Sequence, residues 1–143
     1  MKYHIADRVV AFDPGGTTGY AVVQLVQTTP TRWRVLEAGA FPQFDEVETI
    51  LMRHHPRTVL YETLHVTRPG VRTVGAEVIG AIRYLARFHN MHCLERSPAL
   101  LQGIRRWPIR IEYPVRGPHA LDALHHAIVY VGPGYVEGVT FTE

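Results

Sequence analysis

The stretch of sequence that decides the fold is residues 8–21, RVVAFDPGGTTGYA. An apolar run over residues 8–12 predicts a strand, which ends at Asp13 in a turn of proline and glycine. A second strand, rich in β-branched residues, is predicted over residues 18–26, and a third over residues 31–41. Because only short turns separate these three strands, we expect them to form an antiparallel meander.

The period of the apolar residues changes after the third strand. Val47, Ile50 and Leu51 recur at helical spacing, and this pattern stops before Pro56. The remaining predicted elements are a helix over residues 44–54, a strand over 58–61, a helix over 74–89, a strand over 92–95, a short helix opened by Ser97 and Pro98, an Arg- and Pro-rich loop, and a helix over 118–131. Strands that alternate with helices form parallel crossovers. We therefore expect an α/β fold with one mixed five-stranded sheet, three strands antiparallel and then two parallel, and helices on both faces.

Length and composition limit the class of protein. The chain has 143 residues, of which 46% are hydrophobic and 20% charged, so we expect a single globular domain over residues 1–143. Cys93 is the only cysteine, which excludes an internal disulfide and fits a reducing compartment. No apolar run approaches the roughly 18 residues of a membrane span, and the first residues lack a signal-peptide pattern. We expect a cytoplasmic protein, in a bacterial or phage-infected cell, with no membrane partner.

The charge is distributed unevenly along the chain. Residues 63–118 contain nine arginines against three glutamates. A basic segment in a nearly neutral domain predicts a local surface for phosphate groups. The alternative, that these arginines only solvate helix faces, is equally compatible with charge alone.

Three carboxylates stand where the chain predicts the ends of strands or a helix start. Asp13 ends the first strand and Glu62 ends the fourth, so parallel pairing of these strands would place the two at the same sheet edge. Asp122 lies in the first turn of the last helix, with His119 three residues before it on the same face. Taken singly, each has an ordinary explanation as a turn former, a strand end or a helix start.

Carboxylates brought together repel one another, and their pKa values rise unless a cation lies between them. Oxygen ligands with one imidazole favour Mg²⁺ or Mn²⁺ over Zn²⁺. Two such ions that share a carboxylate can position a water molecule and stabilise the leaving oxygen in phosphodiester hydrolysis.

These motifs resemble those of a known family. Residues 12–21, FDPGGTTGYA, resemble the first motif of the RuvC-type Holliday junction resolvases, which belong to the RNase H-like superfamily. Tyr61 and Glu62 after an apolar strand resemble the second motif, and residues 119–124, HALDAL, are similar to the last. The order of elements extends the resemblance over most of the chain, and the length is most similar to small phage or bacterial members.

The resemblance implies a site and an activity. Asp13 would bridge the metal ions, Glu62 would hold one of them and Asp122 the other. His119, where many relatives have an aspartate, would either ligate metal or orient the attacking water. The implied enzyme is a Mg²⁺-dependent homodimer, with Mn²⁺ as a substitute, that cuts four-way DNA junctions by paired nicks and leaves 5′-phosphate and 3′-hydroxyl ends.

Residues outside the acidic cluster are candidates for DNA contacts and dimerisation. The predicted phosphate contacts are Arg68, Arg72, Arg105, Arg106, Arg110 and Arg116. The small residues Gly75, Gly80 and Ala81 make the long helix a candidate dimer surface, although packing against its own sheet explains them equally well. The pairs His54-His55 and His125-His126 lack a convincing third metal ligand and are interpreted as structural or solvated.

Three alternatives stay open from the sequence. Another RNase H-like nuclease, acting on flaps, forks or RNA–DNA hybrids, would carry the same acidic site. Residues 13–19, DPGGTTG, also resemble the phosphate loop of the sugar kinase and actin group, although those proteins clamp nucleotide between two such domains. A scaffold that binds DNA without cutting it is the third, and the retention of three acids argues against it.

Overall fold

The computed structural model describes residues 7–42, 45–63, 74–101 and 109–142. The main sheet contains β1 (Arg8–Asp13), β2 (Thr18–Thr28), β3 (Thr31–Phe41), β4 (Thr58–Glu62) and β5 (His92–Arg96). The helices are α1 (Glu46–His54), α2 (Val74–Phe88) and α3 (Pro118–Val131), and a separate two-stranded antiparallel sheet contains β6 (Ile109–Ile111) and β7 (Val139–Phe141). Short 3-10 turns cover Pro98–Leu101 and Pro133–Tyr135.

The strands of the main sheet follow the order β3-β2-β1-β4-β5. β1 and β2 pair antiparallel, as do β2 and β3, whereas β1 pairs parallel with β4 and β4 parallel with β5. This confirms the predicted mixed five-stranded sheet. The parallel register sets Phe12 of β1 beside Tyr61 of β4, so the carboxyl ends of these two strands lie next to each other.

Helices cover both faces of the sheet, as predicted. Alternate residues of a strand face opposite sides, and β1 shows this directly. Val10 and Phe12 pack into a core cluster with α1 and α2, whereas Val9 and Ala11 pack into a second cluster with α3. Full burial of a side chain such as Val10 or Phe12 contributes roughly 1.5–3 kcal/mol to stability. The two clusters hold the sheet rigidly between its helices.

A polar cluster ties the antiparallel half of the sheet to α1. Glu37 of β3 accepts hydrogen bonds from the hydroxyl of Tyr20 at 2.6 Å and from Arg53 at 2.7 Å. His54 Nε2 lies 2.7 Å from the same carboxylate, so of the two roles expected for this histidine, structural or solvated, it has the structural one. Burial raises the pKa of Glu37, but these hydrogen bonds outweigh it, and the net pKa lies below its ordinary value.

The two-stranded sheet of β6 and β7 was not predicted. The sequence around residues 109–111 is interpreted above as part of an Arg- and Pro-rich loop, and that interpretation is wrong for these three residues. Ile109 pairs with Phe141 and Ile111 with Val139, about thirty positions further along. A strand of three residues is too short to show a period, and its partner is remote in sequence.

None of the helices in the described segments is both long and apolar enough to cross a bilayer.

Candidate active site

Asp13 and Glu62 meet at the edge where β1 and β4 end. Since Phe12 and Tyr61 are register partners in parallel strands, the last residues of these strands, Asp13 and Glu62, lie at the same edge of the sheet. The carboxyl group of Glu62 lies close enough to that of Asp13 to raise its pKa. The adjacency predicted for these two residues is therefore present.

Burial and neighbouring negative charges raise the pKa of Asp13 at this edge. The pKa of Asp13 rises from 3.8 to about 6, first because the group is buried and then because of the negative charge and hydrogen bond of Glu62. Asp122 adds a weaker repulsion, and the hydrogen bond with His119 acts in the opposite direction. A cation placed between these carboxyl groups would relieve the repulsion that raises the pKa of Asp13.

The turn after β1 is held without the carboxylate of Asp13. The amide of Gly15 donates to the hydroxyl oxygen of Thr18 at 3.3 Å, and that hydroxyl donates back to the Gly15 carbonyl at 3.3 Å. Thr18 is buried beneath the turn. The side chain of Asp13 instead contacts Glu62 and His119. Its position is therefore not explained by turn formation alone.

The first turn of α3 is brought to this edge by a close backbone approach. Gly19 pairs with Asp13 across β1 and β2, and a Cβ at Gly19 would overlap the backbone carbonyl of His119. Only glycine leaves room for the helix here. As a result His119 Nδ1 lies 3.4 Å from Asp13 Oδ2, and Asp122 is close enough to raise the pKa of Asp13.

His126 also belongs to this neighbourhood, and the sequence analysis missed it. Its side chain is 1% exposed, and Nε2 lies 3.1 Å from Glu62 Oε2. The paired histidines 125 and 126 are interpreted above only as structural or solvated. A usable signal was the spacing, because His126 follows Asp122 by four residues and so shares its helix face.

The donor atoms at this edge suit a hard divalent cation. Within the segments that the structure describes, no three His, Cys, Asp or Glu side chains are arranged around one ion position. Mg²⁺ does not require three, because it commonly binds through one or two carboxylates and fills its shell with water and substrate phosphate. Asp13 and Glu62 supply that pair, and Asp122 is the third acid nearby.

Two of the six arginines predicted to contact DNA lie within the described residues. Arg116 is exposed just before α3, and Arg110 is exposed on β6. The other four predicted arginines, Arg68, Arg72, Arg105 and Arg106, lie outside the described residues. Of the candidate dimer residues in α2, Gly75 is buried, Ala81 is half-buried and Gly80 is exposed.

The strand order and the placement of the helices are those of an RNase H-like domain. No protein family and no curated protein matches the chain by sequence. Among solved structures, it is similar to Thermus thermophilus RuvC in complex with a Holliday junction substrate, at 18% identity and a TM-score of 0.63 over 95% of this chain and 99% of that one. It is also similar to the fowlpox virus Holliday junction resolvase, at 14% identity and a TM-score of 0.58 over 85% of this chain and 93% of that one. The chain therefore has the RuvC-type version of the RNase H-like fold, as its motifs suggested.

Proposed function

We propose that the protein is a metal-dependent nuclease for branched DNA, and specifically a crossover junction endonuclease that resolves four-way junctions. The observation that carries this proposal is the contact between Asp13 and Glu62 at the ends of two parallel strands, with the pKa of Asp13 raised to about 6. The similarity in fold to RuvC and to the fowlpox virus resolvase, both described as Holliday junction enzymes, supports the choice of substrate.

Each residue of the acidic edge has a role in this proposal. Asp13, Glu62 and Asp122 would hold Mg²⁺, or Mn²⁺ in its place. A bound cation would neutralise charge at the scissile phosphate and lower the pKa of the attacking water. His119 is exposed and hydrogen-bonded to Asp13, so it can orient that water or accept its proton. The products carry 5′-phosphate and 3′-hydroxyl ends.

Two symmetric cuts require two copies of this site, so the proposed enzyme is a homodimer. The surface that we assign to the dimer is the outer face of α2. Tyr84 and Phe88 are 66% and 70% exposed there, and their rings stack at 6.1 Å. Gly80, one turn earlier, has no atom within 4 Å of an added Cβ and leaves space for a second helix. An isologous contact through this face would bury two aromatic pairs.

We also propose the extent of the domain, its cellular location and the arginines that contact DNA. Residues 1–143 form one nuclease domain, which acts in the cytoplasm of a bacterial or phage-infected cell. Arg110 and Arg116 contact DNA phosphates together with the four arginines outside the described residues. Removal of one such contact should weaken junction binding and reduce its salt dependence by about one ion.

The direct test is cleavage of four-way junction, fork and RNA–DNA hybrid substrates with Mg²⁺ and with EDTA. We expect paired symmetric nicks in the junction, no cleavage in EDTA and none with Asp13→Asn, which should still bind the junction. Glu48→Gln is the matched control, because Glu48 is an exposed acid on α1. Cleavage of the hybrid alone would favour another RNase H-like nuclease, and tight ATP binding without cleavage would favour the actin-like module.

A further inference from the structure

His126 is a polar side chain placed inside an apolar layer. It lies one turn after Asp122 on α3, whose buried residues Ala123, Leu124 and Ala127 pack against the sheet. The imidazole is 1% exposed, so its nitrogens have lost contact with bulk water. Burial of a polar group is costly unless a hydrogen bond compensates it. The compensating contact is the 3.1 Å approach of Nε2 to Glu62 Oε2.

The two ring nitrogens of His126 are in unequal surroundings. A carboxylate oxygen can only accept, so Nε2 carries the hydrogen and donates it to Glu62. Nδ1 is buried and has no hydrogen-bond partner among the described residues. A hydrogen on Nδ1 would be a buried donor without a partner, which is more costly than an unused acceptor. The surroundings therefore select the tautomer in which His126 donates toward the sheet edge.

The hydrogen bond from His126 Nε2 restrains the carboxylate of Glu62. Glu62 contacts Asp13, and two neighbouring carboxyl groups repel each other as soon as both are ionised. An unrestrained Glu62 side chain would relieve the repulsion by rotating toward water. The hydrogen bond from the core keeps its carboxylate at the edge, next to Asp13, ready to share a cation.

We propose that His126 is a positioning residue: its Nε2–H holds the Glu62 carboxylate beside Asp13 and so prepares the divalent-cation site before metal or DNA arrives. This inference deepens the proposed function and rests on it for the role of the metal. In this proposal His126 acts through Glu62 and does not itself bind the cation or the substrate.

The test compares three variants by two readouts. His126→Leu removes the donor at similar volume, and His126→Gln retains an N–H near the position of Nε2. Ile128→Val trims another buried residue of α3 and controls for a general loss of packing. The first readout is Mn²⁺ binding to the DNA-free protein by calorimetry or electron paramagnetic resonance. The second is the Mg²⁺ concentration that gives half-maximal cleavage of a four-way junction.

We expect His126→Leu to weaken Mn²⁺ binding about 10–100-fold, the usual effect of losing the hydrogen bond that orients a metal ligand. The Mg²⁺ requirement should rise in parallel, His126→Gln should recover most of both, and Ile128→Val should melt earlier with unchanged metal binding. A folded His126→Leu protein that binds Mn²⁺ like the wild type would overturn the proposal. So would a His126→Gln protein as impaired as His126→Leu.

A separate measurement covers the case in which His126→Leu does not fold. ¹⁵N spectra of histidine-labelled wild type should show the hydrogen of His126 on Nε2, and a hydrogen on Nδ1 would refute the proposal. If the wild type binds Mn²⁺ but cuts no branched DNA, the proposed function fails while the Mn²⁺ series still decides the role of His126. If the wild type binds no Mn²⁺, the positioning role fails with it.

Discussion

Replacement of Asp13 by asparagine should abolish cleavage and at the same time stabilise the metal-free protein. The pKa of Asp13 rises from 3.8 to about 6 on folding, mainly through burial and the neighbouring Glu62. At 1.36 kcal/mol per pKa unit, holding Asp13 ionised in the folded state costs about 3 kcal/mol. Asparagine has no charge, and its amide can donate to Glu62 as the protonated acid does.

The sign of the pH dependence follows from the direction of the shift. A group whose pKa is higher in the folded protein stabilises it below the unfolded pKa, and this contribution is lost as the pH rises through the folded pKa. Relative to Asp13→Asn, the wild type should therefore lose stability between about pH 4 and pH 6 and stay lower above that. For a chain of this length the deficit corresponds to a melting temperature roughly 8–12 °C lower at pH 8.

The assay is urea or thermal unfolding of both proteins at pH 4, 6 and 8 in EDTA, followed by the same series in Mg²⁺. The difference between the two proteins reports on Asp13 and on its interaction with Glu62, because the remaining titrating groups are common to both. Mg²⁺ should close most of the gap at pH 8, since a cation relieves the repulsion in the wild type. An Asp13→Asn protein that is less stable than the wild type at pH 8, or a gap that does not change with pH, would refute this account of the site.

Three other predictions concern stability and assembly. Gly19→Ala should cost about 3 kcal/mol of unfolding free energy by calorimetry, because the added methyl group overlaps the backbone of His119 and displaces α3. Glu37→Gln should cost about 1–3 kcal/mol at pH 7 in urea unfolding. That deficit should shrink below the ordinary pKa of 4.5, since a lowered folded pKa contributes stability that is lost as the pH falls. The double variant Tyr84→Ser, Phe88→Ser should weaken dimerisation at least about tenfold in sedimentation experiments, with an unchanged melting temperature in dilute solution.

Matched controls accompany these variants. Gly16→Ala adds its methyl group where no atom lies within 4 Å, so it should melt close to the wild type, and equal melting of Gly19→Ala would contradict the close approach. Glu48→Gln removes an exposed acid from α1 and should leave the pH dependence intact, in contrast to Glu37→Gln. Tyr135→Ser removes an exposed aromatic side chain outside α2, and a comparable loss of dimer in that variant would exclude α2 as the interface.

The sequence predicted the parts of the structure that depend on local pattern. The turn after β1 and the short buried strand before Glu62 are marked by proline, glycine and apolar runs, and the rule for parallel crossovers then places Asp13 and Glu62 together. The two-stranded sheet of β6 and β7 was missed because Ile109 pairs with Phe141, far along the chain. His126 was missed for a related reason: helical spacing identifies its face, but how deep the side chain lies depends on packing against β4.

The close contact between Gly19 and the first turn of α3 has a consequence for protein engineering. The helix that carries His119 and Asp122 is located by backbone touching backbone against β2, so any side chain at position 19 would displace it. The segment that leads into the helix is also anchored, because Tyr113 and Val115 pack against the core and the Tyr113 hydroxyl donates to the carbonyl of Leu36. A redesign of this scaffold would therefore keep these three positions and vary exposed ones such as Glu112 and Pro114.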